Sequence, residues 1–135
     1  MKKFMLLNLS FMLIVSFLCN AQTTKKEIKG NVTAKVEAYY FHLSTRCITC
    51  KTVEAEARKD LESLYGDQVT FQSVNIEDDA SKALIDKLQI SGQTLLLVKG
   101  GTKINITNEG FMYARNNPEK FKSIIREKVD GLLKL

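Results

Sequence analysis

The residues best suited to do chemistry in this chain are two cysteines three positions apart, Cys47 and Cys50 in STRCITCKTV (residues 44–53). Arg46 precedes the first, and the chain's single histidine, His42, lies just upstream. Such a pair can be a redox couple, half of a metal site or a covalent staple. A staple closing a four-residue loop gains only about 2 kcal/mol by loop entropy, the weak end of the range. Structural zinc wants four ligands, and two thiols with one histidine fall short of that set. His42 ends an apolar run, where a satisfied or exposed imidazole is the ordinary outcome; a supporting role near the thiols is the alternative. Redox chemistry at Cys47 and Cys50 is therefore the leading reading, with both cysteines as ligands for one soft ion as the competitor.

The N-terminus sets the compartment. MKKFMLLNLSFMLIVSFLCNA has a basic start, an apolar stretch from Phe4 to Leu18 and a small residue at Ala21, the form of a secretory signal peptide. Its apolar stretch is shorter than the roughly 20 residues needed to span a bilayer. Cleavage after Ala21 is expected, giving a periplasmic or secreted protein. Cys19 in SFLC loosely resembles a lipidation signal, but Leu18 is bulky where that signal takes a small residue. Removing this 21-residue leader from 135 residues leaves 114, enough for one modest core. The leader carries two lysines and no acid, so the net charge falls from +5 to +3. Cys19 leaves with it, and any disulfide within the mature chain must be Cys47–Cys50, in a compartment where disulfides persist. The remaining lysines are scattered among acids, with no basic stripe and no interleaved aromatics, so a nucleic-acid partner is not expected.

The elements that position the pair follow from periodicity. Residues 22–35 are polar and read as a tether, with a short added strand around Glu27–Val32. VEAYYFH (36–42) is rich in β-forming residues and reads as a buried strand. Val53, Ala57, Leu61 and Leu64 mark one face of a helix that Gly66 terminates and that Ser44 or Thr45 is placed to cap. VTFQSVN (69–75) is a second strand, and Leu84, Ile85 and Leu88 sit on a short helix. TLLLV (94–98) has the continuous apolar run of a strand buried on both faces. Gly100-Gly101 turns it into TKINIT (102–107), and Asn117-Pro118 opens a last helix with Phe121, Ile124, Ile125, Val129 and Leu132 inward. The order β-α-β-α-β-β-α predicts an α/β fold, a mixed sheet covered by helices on both faces. The cysteines fall at the first strand-to-helix junction, where unpaired N–H groups and the helix dipole favour a thiolate. Arg46 adds a positive charge of the same effect.

Across residues 36–135 the element order, the CITC at the first helix start and ISGQTLLLVKGG (90–101) resemble the thioredoxin-like superfamily. The resemblance implies a thioredoxin-like fold and a thiol–disulfide oxidoreductase needing no cofactor, with Cys47 as nucleophile and Cys50 as resolving residue. Three departures stand out. Gln93 occupies the place of the family's cis-proline beside the sulfurs, and a trans turn is expected at Ser91–Thr94 because a non-proline cis bond costs about 3–4 kcal/mol. Arg46 stands where the family has tryptophan. The family's buried aspartate has no counterpart in VEAYYFHLST, Phe41 or His42 being nearest. YYFH, RCITC, GQTLLLV and NPEKF resemble, more narrowly, the small exported thioredoxin-like subunit of nitrophenyl-compound (aromatic arsenical) nitroreductase systems of Bacteroidetes-type bacteria. That likeness implies a membrane partner of the electron-relaying, disulfide-reductase kind, besides the protein disulfides that a relay would act on. The alternatives are a dithiol that captures arsenic or copper, and an inactive interaction module of the same fold.

Overall fold

The computed structural model describes residues 35–135. The expected leader, nearly all of the tether and the added strand around Glu27–Val32 lie outside the described residues. Four strands, β1 (Val36–His42), β2 (Val69–Asn75), β3 (Thr94–Lys99) and β4 (Thr102–Asn105), form one sheet in the order β2-β1-β3-β4. β1 runs parallel to β2 and antiparallel to β3, and β3 is antiparallel to β4. The four helices are α1 (Ile48–Tyr65), α2 (Lys82–Leu88), α3 (Thr107–Tyr113) and α4 (Pro118–Leu133). This is the mixed, two-sided α/β arrangement expected.

Alternation along the central strands sorts the side chains onto two faces. Val36, Ala38 and Tyr40 of β1 join Leu95 and Leu97 of β3 on the face covered by α1, α3 and α4. Tyr39 and Phe41 join Leu96 and Val98 on the opposite face, against Leu84, Ile85 and Leu88 of α2. Both inner strands are thus apolar on both sides, as strands buried between helices must be.

Three expectations are corrected. Neither Ser44 nor Thr45 caps α1; the capping residue is Cys47, whose sulfur accepts the N–H of Cys50 at 3.2 Å. Ser44 is taken up instead by the end of β2 and the turn after it, donating its backbone N–H to Glu77 Oε2 at 2.7 Å and accepting from Asn75 Nδ2 at 2.9 Å. The last strand stops at Asn105, and Thr107 opens α3 rather than continuing the hairpin. Leu64 is only half-buried, and the buried polar position on α1 is Asp60. The expected helix ends hold: Gly66, with φ at 50°, closes α1, and the Asn117 side chain accepts the Lys120 N–H at 3.1 Å to open α4.

Asp60 is 2% exposed. Its Oδ1 sits 3.8 Å from Lys122 Nζ of α4, and its Oδ2 has no hydrogen-bond partner among the described residues. Burial pushes the carboxyl up, with Glu56 and Glu119 adding to it and Lys122 and Lys59 opposing. The folded chain therefore holds this proton to higher pH than the unfolded chain, whose aspartate titrates near about 3.9. Stability contributed by the neutral form is full below that value and is lost as pH rises through the raised one. Asp60→Asn is expected to stabilise the fold at neutral pH. The gain should vanish at about pH 4 or below, as read by urea denaturation at both pH values.

Candidate functional site

The site is built where the C-terminal ends of β1 and β2, the start of α1 and the turn before β3 meet. The hydrogen bonds of Ser44 to Asn75 and Glu77 tie the segment after β1 to the end of β2. The Ser44 hydroxyl, with the Ser44 backbone N–H, holds the Glu77 carboxyl below its ordinary range, so this tether carries charge at neutral pH. The chain then enters α1 with Cys47 exposed at its cap and Cys50 7% exposed one turn further on. A disulfide joins Cys47 to Cys50, with the Cα atoms 5.2 Å apart. Leu43 and Ile48, upstream of Cys47 and next to it in the chain, are both exposed.

The two sulfurs have different neighbours. Cys47 Sγ receives the N–H of Cys50. Cys50 Sγ faces inward, 3.7 Å from Gln93 Oε1. Gln93 immediately precedes β3, on the same face as Leu95 and Leu97, which aims its amide at α1. Its Nε2 donates to the hydroxyl of Tyr40, and Tyr40 in turn donates to the backbone carbonyl of Cys50 at 3.0 Å. Tyr40 is fully buried. Burial pushes its phenol up, reinforced by the nearby Glu54 charge and opposed by the Gln93 hydrogen bond and Arg46, so it keeps its proton. No described peptide bond is cis, and the turn at Gln93 is trans as expected.

Arg46 does not stand free beside Cys47. Its guanidinium pairs with Glu54, nearly two turns into α1, and Glu54 Oε1 also lies 3.5 Å from Arg58. Burial alone would push the Glu54 carboxyl up, but the Ser73 hydroxyl and Arg46 outweigh it and the net direction is down. Glu54 is thus a carboxylate at neutral pH, and the cation expected to act on Cys47 alone is shared with it. His42 shares Tyr40's face of β1, its ring centroid 6.0 Å from that of Tyr40. It is buried, and its Nδ1–H donates to the Leu43 carbonyl at 2.9 Å. It forms no hydrogen bond to either cysteine. Among the described residues no group of three or more His, Cys, Asp or Glu is placed to hold a metal ion.

No family profile matches this chain, and no curated protein does. Several solved structures are similar to it, two of them as follows. One, described as the structure of a malarial protein, has 26% identity, covers 51% of this chain and 74% of its own, and gives a TM-score of 0.40. The other is Trxlp from Edwardsiella tarda EIB202, with 18% identity, 69% of this chain and 84% of its own, and a TM-score of 0.49.

The sequence pointed to Cys47, Cys50 and Gln93, and the fold brings them together. Arg46 and His42 lie beside them without a direct hydrogen bond to a sulfur. Tyr40 was missed. Phe41 or His42 was expected nearest the place of the family's buried aspartate; Phe41 lies on the opposite face of the sheet, and Tyr40 is the β1 side chain that touches Cys50. The signal was present in the alternation of β1, since once Phe41 is assigned to the α2 side, Tyr40 must face α1. Glu54 was missed as well, because a glutamate in the middle of a charged helix is ordinarily solvated.

Proposed function

We propose that this chain is an exported thiol–disulfide relay of the thioredoxin-like kind, working through Cys47 and Cys50. The observation that carries the reading is the unequal placement of the two sulfurs. Cys47 is exposed at a helix cap with a backbone N–H directed at it, and Cys50 is buried within disulfide reach behind it. A hydrogen bond from an N–H, added to the helix dipole, favours the thiolate, which is the attacking species. The Cys47 thiolate attacks a partner disulfide, forming a mixed disulfide and releasing one partner thiolate. Cys50 then attacks the Cys47 sulfur, closing Cys47–Cys50 and releasing the second partner thiol. The partner gains two electrons, and this chain is left as the disulfide seen in the structure.

A second dithiol–disulfide protein must then return the two electrons. The leader at residues 1–21 supports export, and for an exported chain that reductant is of the membrane electron-relaying class. Service as the thioredoxin-like subunit of a nitrophenyl-compound nitroreductase system is the finer form of this reading, supported by YYFH, RCITC, GQTLLLV and NPEKF. Capture of a soft ion would use the same two sulfurs, and among the described residues the uncharged Gln93 amide is the only other side chain within hydrogen-bond reach of either.

The test is reduction of insulin by the mature chain with dithiothreitol as electron donor. Turbidity that develops faster than with dithiothreitol alone is the expected result. No acceleration, and no acceleration of electron transfer from a membrane-type disulfide reductase, would overturn the relay.

A further inference from the structure

Proton accounting around Tyr40 fixes what Cys50 meets when the disulfide opens. The Cys50 carbonyl has no proton to give, so the contact at 3.0 Å is donated by the Tyr40 hydroxyl. That uses the only proton of the phenol, and its oxygen can thereafter only accept. Its remaining partner is the Gln93 amide, which must therefore present its NH2 group to Tyr40. The amide carbonyl is left pointing at Cys50 Sγ, 3.7 Å away. In the disulfide that sulfur carries no proton, and Oε1 has nothing to accept from it.

We propose that Gln93 and Tyr40 are a pair of positioning residues that hold Cys50 as the thiol in the reduced protein. The inference rests on Cys47–Cys50 cycling between disulfide and dithiol, as in the function proposed above. Reduction adds two electrons and two protons, and the Cys50 S–H then finds an acceptor already aimed at it. An acceptor oxygen stabilises the thiol and disfavours the thiolate, whereas the N–H at Cys47 does the reverse. One sulfur is given a donor and the other an acceptor, which separates attacking from resolving cysteine without a buried acid. In the resolving step the Cys50 sulfur bonds to Cys47, the Cys47–partner bond breaks, and the Cys50 proton leaves to the departing partner thiolate. Gln93, a neutral amide, cannot take that proton, so its part is to hold it until the leaving group appears. Tyr40 keeps the amide from turning; without the phenol, the NH2 group is free to swing to the sulfur and stabilise the thiolate instead.

The experiment is alkylation of the reduced chain with iodoacetamide across a pH series, followed separately at Cys47 and Cys50 by mass spectrometry. The midpoint of each curve is read, because the plateau rate also follows accessibility. In the wild type, Cys50 is expected to have the higher midpoint. Gln93→Ala is expected to lower it, raising the Cys50 thiolate fraction at neutral pH about threefold or more, the worth of one hydrogen bond. Tyr40→Phe is expected to lower it further, and in both variants the Cys47 midpoint should stay in place. Should Tyr40→Phe fail to fold, Gln93→Ala, in a half-buried turn, carries the measurement alone. An unchanged Cys50 midpoint in folded variants, or equal shifts at both cysteines, overturns the proposal. Alkylation needs no redox partner, so a chain inactive towards disulfides but with separated midpoints loses the relay and not this inference.

Discussion

Replacing Cys47 with serine is expected to bring disulfide reduction down to the uncatalysed rate, whereas Cys50→Ser is expected to preserve attack and strand the partner on Cys47. The asymmetry follows from placement. Cys47 is the exposed sulfur and the one that receives a backbone N–H, and a serine hydroxyl in its place is a far weaker nucleophile than a thiolate. Cys50 is covered, and a bulky partner disulfide cannot reach it first. Its work comes second and is intramolecular, which is why a sulfur one helical turn away suffices. Without it the mixed disulfide has no internal exit and accumulates. Non-reducing electrophoresis after mixing with a disulfide-bonded acceptor reads both variants. The expected pattern is a covalent adduct with Cys50→Ser alone; an adduct of equal amount with Cys47→Ser would reverse the assignment.

Gly110→Ala is expected to destabilise the fold by about 1–3 kcal/mol, the cost of overpacking a filled core. In an exposed helix the same change gains roughly 0.5–1 kcal/mol from backbone entropy, so the sign here depends on space. A β-carbon at Gly110 would come 2.9 Å from Val53 Cγ1 and 3.5 Å from Phe121 Cζ. Val53 is β-branched and fully buried on α1, and its stiff χ1 leaves no easy rotamer to retreat to. Phe121, fully buried on α4, blocks the other side. The glycine lets α3 lie against α1 and α4 at the point where all three meet. Urea denaturation of wild type and variant measures the difference. Because Val53 lies one turn beyond Cys50 on the same helix, loss of this packing should also loosen the start of α1.

The strands and the long helices were readable because their periodicity is strong. Val36–His42 and Thr94–Lys99 announced themselves through β-branched, aromatic and leucine runs, and α4 through Asn117-Pro118 at its cap. α3 was not readable. TNEGFMY spans only seven residues and has glycine at its centre, a residue whose propensity argues against helix. Only packing against Val53 and Phe121 explains it, and packing is tertiary information. At the site, the cysteine spacing at a strand-to-helix junction located Cys47 and Cys50, and the absent proline drew attention to Gln93. What Gln93 touches was hidden, because the contact with Tyr40 depends on the register of β1 against β3, where Tyr40 lies opposite Leu95. The capping of α1 was misread for a related reason. Ser44 is a better cap by residue type, but Glu77 and Asn75, some thirty residues away in sequence, claim it.

The central claim, that Cys47–Cys50 is a working couple rather than a staple, is tested most directly by equilibrating the mature chain in graded dithiol–disulfide buffers. Acid quenching and mass spectrometry then give the reduced fraction at each potential. The account predicts reversible conversion with a midpoint between about −120 and −270 mV, the span of working thiol–disulfide proteins. A disulfide that stays closed below about −300 mV, as structural bridges in secreted proteins do, would contradict it.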